Sequence, residues 1–115
     1  MQIQRINPGK RWSDITIHNG VAYFVEVAGT DLDADIKAQA QQVLTQAEQS
    51  LLKIGSDKSR LLSATIYLTD FANLPAFNEI WDSWLEDSTA PSRACVKVEL
   101  ADPRYLVEIA FVGAC

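Results

Sequence analysis

Residues 90–100 read APSRACVKVEL, a stretch in which small or apolar residues alternate with mostly polar ones. The alternation predicts a β-strand that has Arg93 and Cys95 on one face, because successive strand side chains point to opposite sides. Residues 105–112, YLVEIAFV, predict a second strand in which Glu108 is the only charged residue. An arginine and a glutamate cost free energy when they are buried unpaired. They therefore indicate either a solvent-facing sheet surface or a site that needs both charges.

Outward from these strands, turn residues and hydrophobic spacing predict the other elements. Asn19-Gly20 tolerates the positive φ angles of a tight turn and predicts a β-hairpin between strands 14–17 and 21–25. Apolar residues at helical spacing predict a helix from about Asp33 to Ile54. Thr30 or Asp31 can cap the start of this helix, and Gly55 is expected to end it.

Residues 62–69 predict a third long strand, and residues 70–87 predict a second helix that has Pro75 in its first turn. The resulting order is β-β-α-β-α-β-β, which predicts an α+β fold with two helices on one face of a single mixed sheet. The length of 115 residues is that of a single domain, 1–115. The other face of the sheet is expected to be covered or polar.

Composition narrows the classes of function. The net charge is −5 and lysines and arginines are not clustered, which argues against a nucleic-acid groove. Neither a membrane-spanning apolar run nor a signal peptide is recognisable, so a cytoplasmic protein is expected. The two cysteines and the single His18 lack metal-binding spacing, and no glycine-rich phosphate loop occurs. The sequence therefore predicts neither a metal nor a cofactor.

Two local patterns have competing interpretations. Asp31, Asp33 and Asp35 are spaced like the start of a calcium loop, but Ile36 and Gln42 stand where that loop needs glycine and glutamate. These aspartates are better explained as partners of the helix N-terminus.

Cys95 is a candidate nucleophile, since the neighbouring Arg93 guanidinium would favour its thiolate. It is better explained, however, as a small packing residue of the kind that is common in the middle of strands.

The string PSRACVKV at 91–98, followed after a short turn by Val107-Glu108-Ile109, resembles the signature of the RidA family of small deaminases, also called the YjgF family. The resemblance extends over the whole chain, including its length and order of elements. It implies the chorismate-mutase-like fold and a homotrimer that has ligand sites in the clefts between subunits.

The substrates of RidA-like enzymes are 2-imino acids, which are hydrolysed to 2-keto acids and ammonia. The resemblance implies that Arg93 anchors the substrate carboxylate, a role that suits the two-pronged guanidinium. It implies that Glu108 orients or deprotonates the attacking water. The backbone at Cys95 would add hydrogen bonds, and Asn78 would line the cleft. Trp12 stands where well-studied members have a tyrosine that closes over the ligand.

Several features depart from that pattern. Trp12 has no hydroxyl, Val25-Glu26-Val27 replaces a Ser-Gly-Gln-like segment, and the connection 29–31 is short. Glu26 would bring a negative charge near the substrate carboxylate. These features resemble a short bacterial branch of the family, the YoaB-like proteins.

Two functions are compatible with these residues. One is an imine or enamine deaminase with shifted specificity. The other is a non-catalytic trimeric protein that uses Arg93 to bind a small carboxylate metabolite. RNA cleavage, which has been attached to some relatives, is disfavoured by the acidic balance of the chain.

Overall fold

Six strands form one sheet, and two helices pack on it, in a computed structural model that describes residues 2–115. The elements in chain order are β1 (Gln4–Ile6), β2 (Ile15–His18), β3 (Val21–Val27), α1 (Ile36–Lys53), β4 (Leu61–Leu68), α2 (Leu74–Trp84), β5 (Ser92–Lys97) and β6 (Val107–Ala114). Short 3₁₀ turns at Lys58–Arg60 and Phe71–Asn73 precede β4 and α2. The predicted α+β architecture is confirmed. The one additional strand is β1, whose three residues are too few to give a recognisable alternation.

The strands lie side by side in the order β1-β2-β3-β6-β4-β5. Only β4 and β5 run parallel, and the connection between them contains α2. The other neighbours are antiparallel. The sheet is therefore mixed, and the last strand of the chain lies in its interior.

The register decides which side chains face the helices. Phe24, Phe111 and Ala64 lie beside one another on β3, β6 and β4, and each is at least 97% buried, with relative exposures of 3%, 1% and 1%. The two phenyl rings stack with their centroids 5.2 Å apart. The hydrophobic core thus lies between this face and the two helices, where apolar burial supplies most of the folding free energy.

The opposite face of the sheet, here called the open face, carries an apolar patch that is accessible in the single chain. Tyr23, Val25 and Val96 are 49%, 55% and 40% exposed, and register and strand alternation place all three on this face. Ala110 and Val112 of β6 extend the same surface. A sheet face of this composition favours burial against another protein surface.

Helix α1 begins later than the sequence suggested. Its N-cap is Asp35, whose carboxylate accepts the amide hydrogen bond of Ala38 at 3.0 Å. The expected caps, Thr30 and Asp31, lie in the preceding connection, where Thr30 instead bonds to Gln42. The cap prediction was wrong because the residue at which α1 begins depends on the path of the chain after β3, and the local sequence does not define that path.

The predicted end of α1 is confirmed. Gly55 has a φ of +73°, and its amide donates to the Leu52 carbonyl at 3.1 Å. The Ser56 amide donates to the Leu51 carbonyl at 2.9 Å, which completes a Schellman motif.

Helix α2 contains Pro75 in its first turn, as predicted, but it ends at Trp84 and not near residue 87. Lys58 reaches this end from the 3₁₀ turn before β4. Its ammonium donates to the Trp84 carbonyl at 2.6 Å and pairs with Asp87 at 3.2 Å. A cation at a helix C-terminus satisfies an otherwise unpaired carbonyl and the helix dipole. None of the helices within residues 2–115 is long and apolar enough to cross a bilayer.

We expect Lys58→Met to lower the free energy of unfolding by about 1–2 kcal/mol, because the carbonyl of Trp84 loses a charged donor. Urea unfolding followed by tryptophan fluorescence would measure the change. Lys10→Met, on an exposed loop, is the matched control and should have little effect. Equal stability of the two variants would show that the contact of Lys58 with the helix end contributes nothing.

Candidate functional site

Arg93 is the centre of the candidate site, and helix α2 provides its surroundings. Arg93 lies near the start of the edge strand β5, opposite the buried Ala64, so its side chain is on the helix side of the sheet. Its Nη2 atom donates to Asn78 Oδ1 at 2.8 Å. Its Cζ atom lies 5.8 Å from the ring centroid of Phe77 and 5.6 Å from that of Trp81. Phe77, Asn78 and Trp81 are called the Arg93 seat below.

The seat holds the guanidinium in place and leaves it available to a ligand. Phe77 and Trp81 are 0% and 4% exposed, so their rings are fixed by the core, whereas Arg93 itself is exposed. Aromatic faces attract a cation, and the hydrogen bond to Asn78 occupies one of the five guanidinium donors. One complete two-pronged edge therefore remains for a carboxylate. The contact of Phe77 and Trp81 with Arg93 was not predicted from the sequence. The available signal was their position in the same helical turns as Asn78.

Cys95 lies two residues along β5 on the same side and packs against the core. Burial raises the pKa of its thiol, and the charge of Arg93 opposes this rise more weakly. The thiolate that was considered from the sequence is therefore disfavoured. The geometry supports the alternative in which Cys95 is a packing residue.

Glu108 lies on the open face. It is opposite Val27 of β3 and Tyr67 of β4, and it is half-buried. Arg93 is two strands away and on the other face of the sheet. Strand spacing and the register offset between Ala64 and Tyr67 put the two Cα atoms roughly 14 Å apart. A single chain therefore does not bring Arg93 and Glu108 together.

Trp12 lies in the connection between β1 and β2 and is 72% exposed. Strands β3, β6 and β4 separate β2 from β5, a distance of roughly 19 Å at ordinary strand spacing. Trp12 and Arg93 of one chain thus lie near opposite edges of the sheet. Asn78 is the predicted site residue whose side chain contacts Arg93 directly.

The side chain of Glu26 points to the helix side of β3 and accepts a hydrogen bond from Ser50 Oγ at 2.7 Å. Burial raises the pKa of the Glu26 carboxyl, and the nearby Asp14 adds to the rise, while Ser50 and Lys53 oppose it. Because β6 and β4 separate β3 from β5, this carboxylate does not approach Arg93 of the same chain. Within residues 2–115, no group of three or more His, Cys, Asp or Glu side chains is arranged to hold a metal ion.

Comparison with known proteins shows similarity to one family over nearly the whole chain. The sequence model of the family described as endoribonuclease L-PSP matches residues 2–115. The chain is 43% identical to the RutC family protein YoaB of Escherichia coli over 114 residues, covering 99% of each chain. A solved structure of a YjgF family member from Neisseria meningitidis is 33% identical, with a TM-score of 0.91 over 99% of this chain and 95% of the other. The 3-aminoacrylate deaminase RutC of Acinetobacter baylyi is 33% identical over 79 residues, 69% of this chain and 62% of its own length.

We expect Glu26→Gln to stabilise the protein at neutral pH. A carboxyl whose pKa is higher in the folded state binds protons more tightly there, so stability falls as the pH rises through that pKa. The amide removes this cost while it can still accept the Ser50 hydrogen bond. The gain should be a few tenths of a kcal/mol to about 1 kcal/mol, because the group is partly solvated.

Thermal unfolding at about pH 7 and about pH 4 would test this sign. Most of the gain should be lost at the lower pH, where the carboxyl of the parent protein is mostly protonated in both the folded and the unfolded state. A gain that is equally large at both values would assign it to a cause other than ionisation.

Proposed function

The chain belongs to the endoribonuclease L-PSP family of the RutC and YjgF proteins, and from this premise we propose that it hydrolyses 2-imino acids or enamines to 2-keto acids and ammonia. The observation that carries the proposal is the Arg93 seat. It holds a guanidinium ready to grip a carboxylate through two parallel hydrogen bonds. The imine carbon is bonded to this carboxylate, so binding by Arg93 also fixes the position of the imine carbon. This positioning lowers the entropic part of the activation barrier to hydrolysis.

The reaction asks little more than a positioned water and a proton relay, which we assign to Glu108. The water oxygen bonds to the imine carbon while Glu108 takes one of its protons and passes it to nitrogen, giving a carbinolamine. A second transfer from the hydroxyl to nitrogen then breaks the C–N bond, forms the keto C=O and releases ammonia. A carboxylate suits this relay because it exchanges protons readily with water and amines.

The assembly we propose is a homotrimer whose sites lie between subunits. Two features support it. The exposed apolar patch on the open face favours burial against a partner surface, and both Glu108 and Trp12 lie far from Arg93 within one chain. A neighbouring subunit would supply Glu108 and Trp12 to the Arg93 seat of the first.

A second candidate function is the binding of a small carboxylate metabolite without turnover. It is favoured by one observation. The Arg93 seat, which would bind the carboxylate, is complete within one chain, whereas the proposed proton relay Glu108 lies on the other face of the sheet. We do not propose ribonuclease activity, because the net charge of −5 disfavours RNA binding and His18 is the only histidine.

We expect Arg93→Ala to weaken carboxylate binding by about 100-fold, the loss typical of a two-pronged charged contact. Glu108→Gln should abolish turnover and leave binding nearly intact. Hydrolysis is measured by generating 2-imino acids with an amino-acid oxidase and trapping the surviving imine with semicarbazide. Binding of the matching 2-keto acid is measured by calorimetry. Turnover by Glu108→Gln at the parental rate would refute the role given to Glu108, and binding without turnover in the parent would favour the second candidate.

Mixed oligomers test whether Arg93 and Glu108 act across a subunit boundary. Arg93→Ala and Glu108→Gln chains, each inactive alone, are unfolded, combined in equal amounts and refolded together. Random mixing gives each site an intact Arg93 from one chain and an intact Glu108 from its neighbour in about a quarter of cases. About a quarter of the parental activity is therefore expected. Recovery of no activity, from mixed oligomers verified by mass spectrometry, would place both residues of a working site in one chain.

A further inference from the structure

Three glutamines on helix α1 form a row, called the glutamine stripe, whose side chains hydrogen-bond to the backbone of neighbouring segments. Gln39, Gln42 and Gln46 are spaced three and four residues apart, so they lie on one face of the helix. The Gln46 amide donates to the Val27 carbonyl at 2.9 Å, and the Gln42 carbonyl accepts from the Thr30 amide at 3.0 Å. The stripe thus follows the connection that leads from β3 into α1.

Gln39 makes the most extensive contacts of the three, and it is 0% exposed. Its Nε2 atom has two protons for three carbonyls: those of Leu32 and Ala34, both at 3.2 Å, and that of Arg104 at 2.9 Å, so that one proton is shared between two of them. Its Oε1 atom accepts from the Leu106 amide at 2.9 Å. A single buried side chain therefore joins the connection before α1 to the connection between β5 and β6.

Burying an amide is costly unless its hydrogen bonds are made, and leucine or methionine would avoid that cost but would leave the backbone groups of Arg104 and Leu106 without this partner. A fully bonded amide instead fixes the backbone groups that it contacts. Leu106 is two residues before Glu108, and Val27, held by Gln46, lies directly opposite Glu108 on β3. The stripe therefore holds the backbone just before Glu108 and the backbone of β3 opposite Glu108.

The Arg93 seat belongs to the other helix. Its contacts come from Phe77, Asn78 and Trp81 of α2, while the bonds that flank Glu108 come from α1. The two halves of the proposed site are thus held by different elements. A change on α1 can disturb Glu108 and leave the carboxylate anchor intact.

We propose that Gln39 is a positioning residue for Glu108: by fixing the backbone from Arg104 to Leu106, it sets where β6 begins and where the carboxylate is presented. The catalytic part of this inference rests on the proposed deaminase function. A residue that acts in this way affects the step in which water is activated, and not the binding of the substrate carboxylate.

The test compares Gln39→Met with Gln49→Met, an exposed glutamine on the same helix. For Gln39→Met we expect kcat to fall about tenfold while KM stays within about twofold, as when a transition-state interaction alone is lost. Gln49→Met should keep both constants. Lys58→Met serves as a destabilised control distant from Glu108 and should also keep kcat at a temperature where all the variants are folded.

Amide hydrogen exchange supplies a readout that does not depend on activity. In Gln39→Met, exchange should accelerate from Leu106 through Glu108, whereas the Thr30 amide, bonded to Gln42, should keep its parental rate. Unchanged kcat, or a rate loss that Lys58→Met reproduces, overturns the inference. Acceleration confined to Leu106 does so too. If the parent protein hydrolyses no imine, the proposed function fails, and the exchange pattern at Glu108 alone decides whether Gln39 positions it.

Discussion

The parallel pairing of β5 with β4 is the constraint on which the rest of the site depends. The register places Arg93 beside Ala64, so its side chain faces α2 and reaches Phe77, Asn78 and Trp81. A shift of one residue would turn every side chain of β5 to the opposite face. The guanidinium would then lie on the open face without its seat. The connection from β4 to β5 runs through α2, and this crossover makes β5 parallel to β4. The helix that carries the seat therefore also determines the direction of the strand that carries Arg93.

The same alternation separates the charged groups of the sheet. Glu26 is on the helix side of β3, and Glu108 is on the open side of β6. Two carboxylates that look equivalent along the sequence therefore have different environments. One is half-buried against α1 and has a raised pKa, and the other lies half-buried on the open face, away from both helices. The concern that Glu26 would repel a substrate carboxylate at Arg93 does not arise within one chain.

Much of the fold could be predicted because its signals are local. Alternation marked the long strands, and the turn chemistry of Asn19-Gly20 and Gly55 marked two boundaries. Pro75 marked a third. The seat of Arg93, the cap at Asp35 and the burial of Gln39 could not be predicted in this way. Each depends on contacts between segments that are far apart in the sequence, and propensity carries no information about them. For the same reason, the sequence did not predict that Arg93 and Glu108 lie on opposite faces of the sheet. That arrangement depends on the register between β5, β4 and β6, which is a long-range property.

The position of β6 between β3 and β4 has a consequence for how the protein is made. Until the final strand has left the ribosome, the sheet exists only as two unconnected parts, β1-β2-β3 and β4-β5. Each part exposes an unpaired strand edge and an apolar surface, which are the features that promote association between nascent chains. The core between the sheet and the helices is complete only when β6 joins the two parts, so the fold of residues 2–115 needs both parts and β6 together. A chain truncated before residue 107 lacks β6 and keeps both strand edges unpaired, and such edges favour association between chains over folding.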